Sequence, residues 1–138
     1  MKYWLVKSEP DVWSWDDQLN AKNQTTHWDG VRNAQASNSL KAMKVGDRCL
    51  FYHSNKQRAV VGIVEVVKEF YPDPSDKTGR FGMVDVKAVE PLPEPVTLKQ
   101  VKAEESLAHL GLVRQPRLSV MPIDAKAFKQ IIRMSKQT

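Results

Sequence analysis

Arg48-Cys49-Leu50-Phe51-Tyr52-His53, the polar run Ser54-Asn55-Lys56-Gln57-Arg58, and then Ala59-Val60-Val61-Gly62-Ile63-Val64-Glu65-Val66-Val67-Lys68-Glu69-Phe70 form the stretch that decides the fold. In the first segment Cys49, Phe51 and His53 share one face of a strand, and Leu50 and Tyr52 share the other. The last segment is the strongest strand pattern in the chain, rich in the β-branched residues that fit a pleated surface. The five residues between them have the length and polarity of a hairpin loop. Gly62 inside the second strand predicts a bulge or bend, which helps a sheet curl.

Working outward toward the N-terminus, residues 3–8 alternate as a strand, with Trp4, Val6 and Ser8 on one face. Pro10 ends regular pairing. Ser14 followed three residues later by Asp17 is a capping-box pattern and predicts a short helix through Leu19. Residues 20–26 are polar and read as a loop. Residues 34–43 have helical composition, and Val45-Gly46-Asp47 is a turn signal.

Toward the C-terminus, residues 72–82 carry enough breakers to be a loop. Residues 83–89 form another strand. Pro91, Pro93 and Pro95 force an extended connection. Thr97 can cap a short helix over 98–105, Leu110-Gly111-Leu112 is a turn, and residues 117–121 are a short strand. Asp124 caps a final helix whose Phe128, Ile131 and Ile132 make a core-facing stripe. Strands outnumber helices and are joined by short loops, without βαβ spacing. The pattern predicts an α+β fold, a small curved or barrel-like sheet with helices around it, and one domain over 1–138.

A hydrophobic fraction of 41 % and a charged fraction of 27 % suit a globular protein, and no apolar run reaches the ~18 residues of a membrane span. The N-terminal apolar run is too short for a signal peptide. The single Cys49 excludes an internal disulfide. Together these point to a reducing, cytoplasmic setting. Residues 114–138 hold six bases and one acid, so the whole net charge of +5 lies there. Such asymmetry is common among nucleic-acid binders.

Enzyme signatures are missing. There is no phosphate-binding Gly-rich loop, no nucleophile elbow and no His-Glu-x-x-His pair. His27, His53 and His109 are scattered and Cys49 has no cysteine partner, so neither a metal nor another cofactor is expected. His53 and Ser54 are adjacent on a strand and point to opposite faces, a poor geometry for base and nucleophile.

Two features admit both a structural and a functional reading. In Trp28-Asp29-Gly30-Val31-Arg32-Asn33, a glycine turn presents an indole, a guanidinium and a carboxamide, groups able to stack on a planar ligand and read its edges. The same residues would serve as a core aromatic and capping groups. Lys126, Lys129 and Arg133 fall on one face of the final helix, either as a phosphate-tracking ridge or as a solvated face.

In sequence order, Trp4-Leu5-Val6-Lys7-Ser8-Glu9-Pro10, Trp28-x-Gly30-Val31-Arg32-Asn33-x-Gln35-Ala36-x-Asn38, Met43-Lys44-Val45-Gly46-Asp47, Phe51-Tyr52-His53-Ser54-Asn55, Gly62-Ile63-Val64-Glu65-Val66, Tyr71-Pro72-Asp73, Val84-Asp85-Val86 and Val113-Arg114-Gln115-x-Arg117-Leu118-Ser119-Val120-x-Pro122 resemble the EVE domain family in its compact bacterial form. The resemblance spans nearly the whole chain. It implies a PUA-like fold, a curved, partly closed β-barrel flanked by short helices, and kinship with YTH domains, which hold a methylated base in an aromatic pocket. It further implies a non-enzymatic binder of modified bases in DNA or RNA. By position, its pocket would use Ser8, Trp28, Arg32 and Asn33, with Tyr52, His53 and Ser54 at the next strand end. Lys126, Lys129, Arg133 and Arg117 would then follow the nucleic-acid backbone. The chain departs from the family at Ala34, where Tyr or Pro is usual, at Ser37, where Arg is frequent, and in the loop after Asn55, which lacks the usual Cys and Pro. A reader that flips a modified base out of its strand is the favoured function. A nucleotide-processing enzyme with His53 or Asp29 as base, and a metabolite-binding or interaction module, are the alternatives.

Overall fold

Phe51 pairs with Gly62 across the hairpin, and there the ladder slips by one residue: Tyr52 pairs with Val60, leaving Val61 extra. This is the expected bulge. The computed structural model describes residues 1–137. Its strands are β1 (Tyr3–Ser8), β2 (Thr25–Trp28), β3 (Arg48–His53), β4 (Ala59–Pro72), β5 (Gly82–Thr97) and β6 (Val120–Ile123). They form a six-stranded sheet in the order β2-β5-β4-β3-β1-β6. β1 and β3 run parallel; the other neighbours are antiparallel. β4 and β5 slip register at four further places, which curls the sheet. The ladder ends at β2 on one side and β6 on the other, so the barrel expected from the sequence is curved but not closed.

Gly62 has a second reason to be glycine. A Cβ built there would lie 2.5 Å from the ring of Trp15. The indole lies against the bare backbone and meets Phe51 edge-on, with centroids 5.3 Å apart. Trp28 meets the same Phe51 from another side at 5.5 Å. These rings pack on the sheet face that carries Val6 and Val84.

The other face is covered too, which is why β3 is buried on both sides. The helices are α1 (Trp15–Asn20), α2 (Ala34–Ala42), α3 (Leu98–Ala103), α4 (Gly111–Arg114) and α5 (Ala125–Ser135). Phe128 of α5 stacks on Tyr3 at the start of β1, with centroids 4.2 Å apart. The expected caps are present: Ser14 with Asp17 opens α1, Thr97 with Gln100 opens α3, and Asp124 opens α5. No helix among the described residues is long and apolar enough to cross a membrane.

Four local expectations need correction. Residues 25 and 26 belong to β2 rather than to a loop, because β5 offers them an antiparallel partner. The proline-rich connection continues β5 as far as Thr97, with Pro91 paired to Gly62 at an irregular part of the ladder. Gly111 opens the short helix α4 instead of a plain turn. The last strand begins at Val120, where β1 supplies its ladder, and not at Arg117.

Candidate functional site

Ser8 ends β1 and Trp28 ends β2, two strands separated in the ladder by β5, β4 and β3. Sheet curvature nevertheless brings them to the wall of one cavity of about 320 Å³. Lys7, Ser8 and Glu9 come from the end of β1, Val12 and Trp13 from the following loop, and Thr26, His27, Trp28 and Asp29 from β2 and its exit. The volume lies within the range of small-ligand sites.

The aromatic walls are held by specific bonds. Trp13 is half-buried, and its indole N–H donates to Gln18 Oε1 at 2.9 Å. Gln18 is fully buried and donates through its amide nitrogen to the carbonyls of Gln24 and Val86. One carboxamide thus ties the Trp13 wall to the approach to β2 and to β5. The Ser8 hydroxyl donates to the Trp13 carbonyl at 2.5 Å, fastening the 9–13 loop to β1. Trp28 is a core aromatic packed on Phe51 that also borders the cavity, so its two readings are compatible.

The turn after Trp28 is fastened from a distance. Gly30 has φ +75°, a conformation that favours glycine. Its amide donates to Asp73 Oδ2 at 2.9 Å. Arg32 Nη1 donates to the same oxygen at 3.2 Å, and Arg32 Nη2 to the Ser75 hydroxyl at 2.9 Å. Burial works to raise the Asp73 carboxyl, but the Ser75 hydroxyl, the Gly30 and Ser75 amides and Arg32 outweigh it and lower its pKa to about 2. The Asn33 side chain accepts from the Ala36 amide at 2.9 Å and caps α2.

Of the residues expected at the site, Ser8 and Trp28 share this cavity and the others lie outside it. Arg32 and Asn33 shape the adjoining turn. His53 is buried; its Nε2 accepts from the Trp15 amide at 2.9 Å, so its Nδ1 carries the proton and donates to Gln57 Oε1 at 2.6 Å. The two ring nitrogens thereby tie the start of α1 to the β3–β4 hairpin loop. Tyr52 and Ser54 line a second cavity with Lys7. Arg117 joins Asn33 in a third. Lys126, Lys129 and Arg133 are exposed on α5. That helix packs on Tyr3, five residue steps or about 17 Å along β1 from Ser8.

The residues missed by sequence reasoning are Trp13, His27 and Asp73. Trp13 immediately precedes the Ser14 N-cap and lies outside the helix, which frees it to face away from Trp15; that placement was a usable signal. His27 Nδ1 lies 2.8 Å from Asp85 Oδ1, and the Tyr71 hydroxyl donates to the same oxygen at 2.5 Å. Burial and then the bond to Asp85 push the Tyr71 hydroxyl up. Among the described residues no His/Cys/Asp/Glu cluster is placed to hold a metal ion.

The EVE domain family profile matches residues 2–134. Thymocyte nuclear protein 1 of Rattus norvegicus is 36 % identical over 97 % of this chain and 74 % of its own length. The NMR structure of a Rhodopseudomonas palustris protein superposes with a TM-score of 0.93 at 48 % identity, covering 99 % of this chain and 94 % of that one. The crystal structure of human THYN1 protein in complex with DNA containing 5-methylcytosine superposes with a TM-score of 0.94 at 33 % identity, covering 100 % and 99 %.

Proposed function

The chain belongs to the EVE domain family, and from that premise we propose that it is a non-enzymatic module that takes a modified nucleobase of DNA or RNA into the cavity between Trp13 and Trp28. The observation that carries this reading is the cavity itself. Two indoles border it, Ser8 and Gln18 hold one of them in place, and the carboxylates of Glu9 and Asp29 stand beside them. The human relative bound to 5-methylcytosine DNA supports the choice of ligand class.

The chemistry follows from the groups present. Indole faces stack on any base, worth roughly 1–3 kcal/mol per base. Carboxylates only accept hydrogen bonds, so they favour a base that presents an exocyclic amino group, as cytosine and adenine do. Extruding a base costs a few kcal/mol, least when the strand is single. Arg32 and Asn33 serve the site by fixing the turn, and His53 by fixing the loop of Trp13. With both its ring nitrogens bonded, His53 is not free to act as a general base. The reading suits a reducing compartment that contains nucleic acid.

The test is fluorescence anisotropy with oligonucleotides identical except for one 5-methylcytosine, cytosine or thymine, in DNA and RNA versions. The methylated strand binds tightest, and the preference disappears in Trp13→Ala. Equal affinity for all strands, unchanged in Trp13→Ala, would overturn the reading. Binding of the free nucleoside alone would favour a metabolite-binding module.

A further inference from the structure

On the opposite face of the sheet, at the same end of β1, lies a second cavity of about 290 Å³. Lys7 and Tyr52 are paired in register and share that face. Lys7, Arg58 and Lys102 supply its cations, and Tyr52, Ser54 and Asn55 its neutral polar groups. It continues over Arg58 and Lys102 into a neighbouring hollow that adds Lys99. No carboxylate lines either one. Among the described residues, none of these four cations has an ion-pair partner.

The loop that bears Arg58 is held in a demanding conformation. Asn55 has φ +66° and Arg58 φ +50°, the left-handed region that an arginine rarely enters. Arg58 Nε donates to the Asn55 carbonyl at 3.0 Å, and the Arg58 carbonyl accepts from the Leu98 amide at 2.8 Å. The guanidinium is thus fixed at Nε, and its two terminal nitrogens remain available. Lys7 borders both this cavity and the one between the tryptophans. Its ammonium donates to the Pro116 carbonyl at 3.0 Å and lies 5.6 Å from the centre of the Tyr52 ring.

We infer that the groove of Lys7, Arg58 and Lys102 is a phosphate site, and that it holds the nucleic-acid backbone next to the base read by the other cavity. The inference rests on the proposed function. Phosphodiesters need donors and positive charge, and this groove offers both without a competing acid. Lys7 joins the two cavities, so one strand can round the end of β1 with its base on the concave face and its phosphates on the other. α5 instead packs at Tyr3, at the other end of β1 and about 17 Å along that strand from Ser8.

The test has two arms. In the first, affinity for a short single-stranded oligonucleotide carrying one 5-methylcytosine is titrated against salt. Each lost phosphate contact removes about 0.7 from the slope. Arg58→Gln/Lys102→Gln therefore flattens it by about 1.4, while the preference for the methylated base stays. Lys102→Gln alone, on the exposed surface of α3, gives about 0.7 without disturbing the Arg58 loop. In the second arm, inorganic phosphate is titrated while the amide signals of Ser54, Asn55 and Leu98 are followed by NMR. Shifts at these amides that both variants remove support the site. An unchanged salt slope in both variants overturns the backbone assignment; if the methyl preference persists, the base-reading function survives. Tight phosphate binding with an unchanged slope assigns the groove to a free phosphate compound instead. If the wild type binds no oligonucleotide, the base-reading function fails, and silence in the phosphate arm then overturns the site as well.

Discussion

Asp73 holds Gly30: the glycine amide donates to Asp73 Oδ2 at 2.9 Å, across 43 positions of sequence. The loop between β4 and β5 therefore sets the shape of the turn that leaves Trp28. Asp73→Asn should destabilise the protein by about 3 kcal/mol in urea unfolding at pH 7, since it weakens charge-assisted bonds to a buried group. The sign of the pH effect is fixed. The folded pKa is about 2 against an ordinary 3.8, so the stabilisation is present above pH ~4 and is lost as pH falls toward 2. The gap between wild type and Asp73→Asn should shrink by about 2 kcal/mol between pH 5 and pH 2.

Trp13 and Trp28 differ as targets. Trp28 is packed against Phe51, so Trp28→Ala should cost ~3–5 kcal/mol of stability as well as binding. Trp13 is half-buried. Trp13→Ala should weaken binding of the methylated strand ten- to a hundredfold, the range of base–aromatic stacking. Its loss of stability should be smaller. Anisotropy and urea unfolding on the same samples separate the two effects.

Asp29 offers a test of edge reading. 5-Methylcytosine and thymine share the methyl group and differ at position 4, in an amino group against a carbonyl, and at N3, in an acceptor against an N–H donor, so the test reads a carboxylate aimed at position 4. Carboxylate acceptors should favour the amino form by about 1–3 kcal/mol. Asp29→Asn, which gains a donor, should reduce that gap. A gap that is unchanged in Asp29→Asn and vanishes in Glu9→Gln would move the reading to Glu9.

Gly62→Ala should destabilise by about 1–3 kcal/mol, since the added methyl meets the Trp15 ring. The displaced indole should alter tryptophan fluorescence and near-ultraviolet dichroism. A fully stable Ala variant with unchanged spectra would show that the ring shifts freely.

The α5 stripe should matter only for long strands. Replacing Lys126, Lys129 and Arg133 with Gln should leave the salt slope for a tetranucleotide unchanged, and flatten it by up to about 2 for a strand long enough to reach α5. A change with the tetranucleotide would place α5 beside the base.

Local features were legible in the sequence. Ser14, Thr97 and Asp124 bond to amides three residues away, so their roles are written in short windows. The hairpin around Gly62 was legible for the same reason. β2 was not, because Thr25, Thr26 and His27 carry no apolar alternation, and their strand conformation depends on the partner β5. Ser8 and Trp28 were grouped by family resemblance. Trp13 follows Ser8 closely and Asp29 adjoins Trp28, but the two segments meet only through curvature summed over the intervening strands, which no local pattern encodes. Asp73-Pro74-Ser75 reads as a turn but gives no hint of Gly30. Charge summed by segment also hides the groove. Residues 1–113 sum to zero, yet folding collects Lys7, Arg58, Lys99 and Lys102 in a groove and leaves the balancing acids elsewhere.

The open sheet has a consequence for solubility. An unclosed sheet leaves two edges with free backbone donors and acceptors, the usual template for unwanted strand addition. Here both edge strands are only four residues long. β6 contains Pro122, which has no N–H to offer. β2 bends away after Trp28 into the Gly30 turn. The long strands β4 and β5 lie inside the ladder; β2 covers β5 only at Val84–Lys87, and the rest of β5 carries Pro91, Pro93 and Pro95, which have no N–H to offer. The chain can therefore leave its barrel unclosed while its edge strands stay short and the uncovered part of β5 is interrupted by proline.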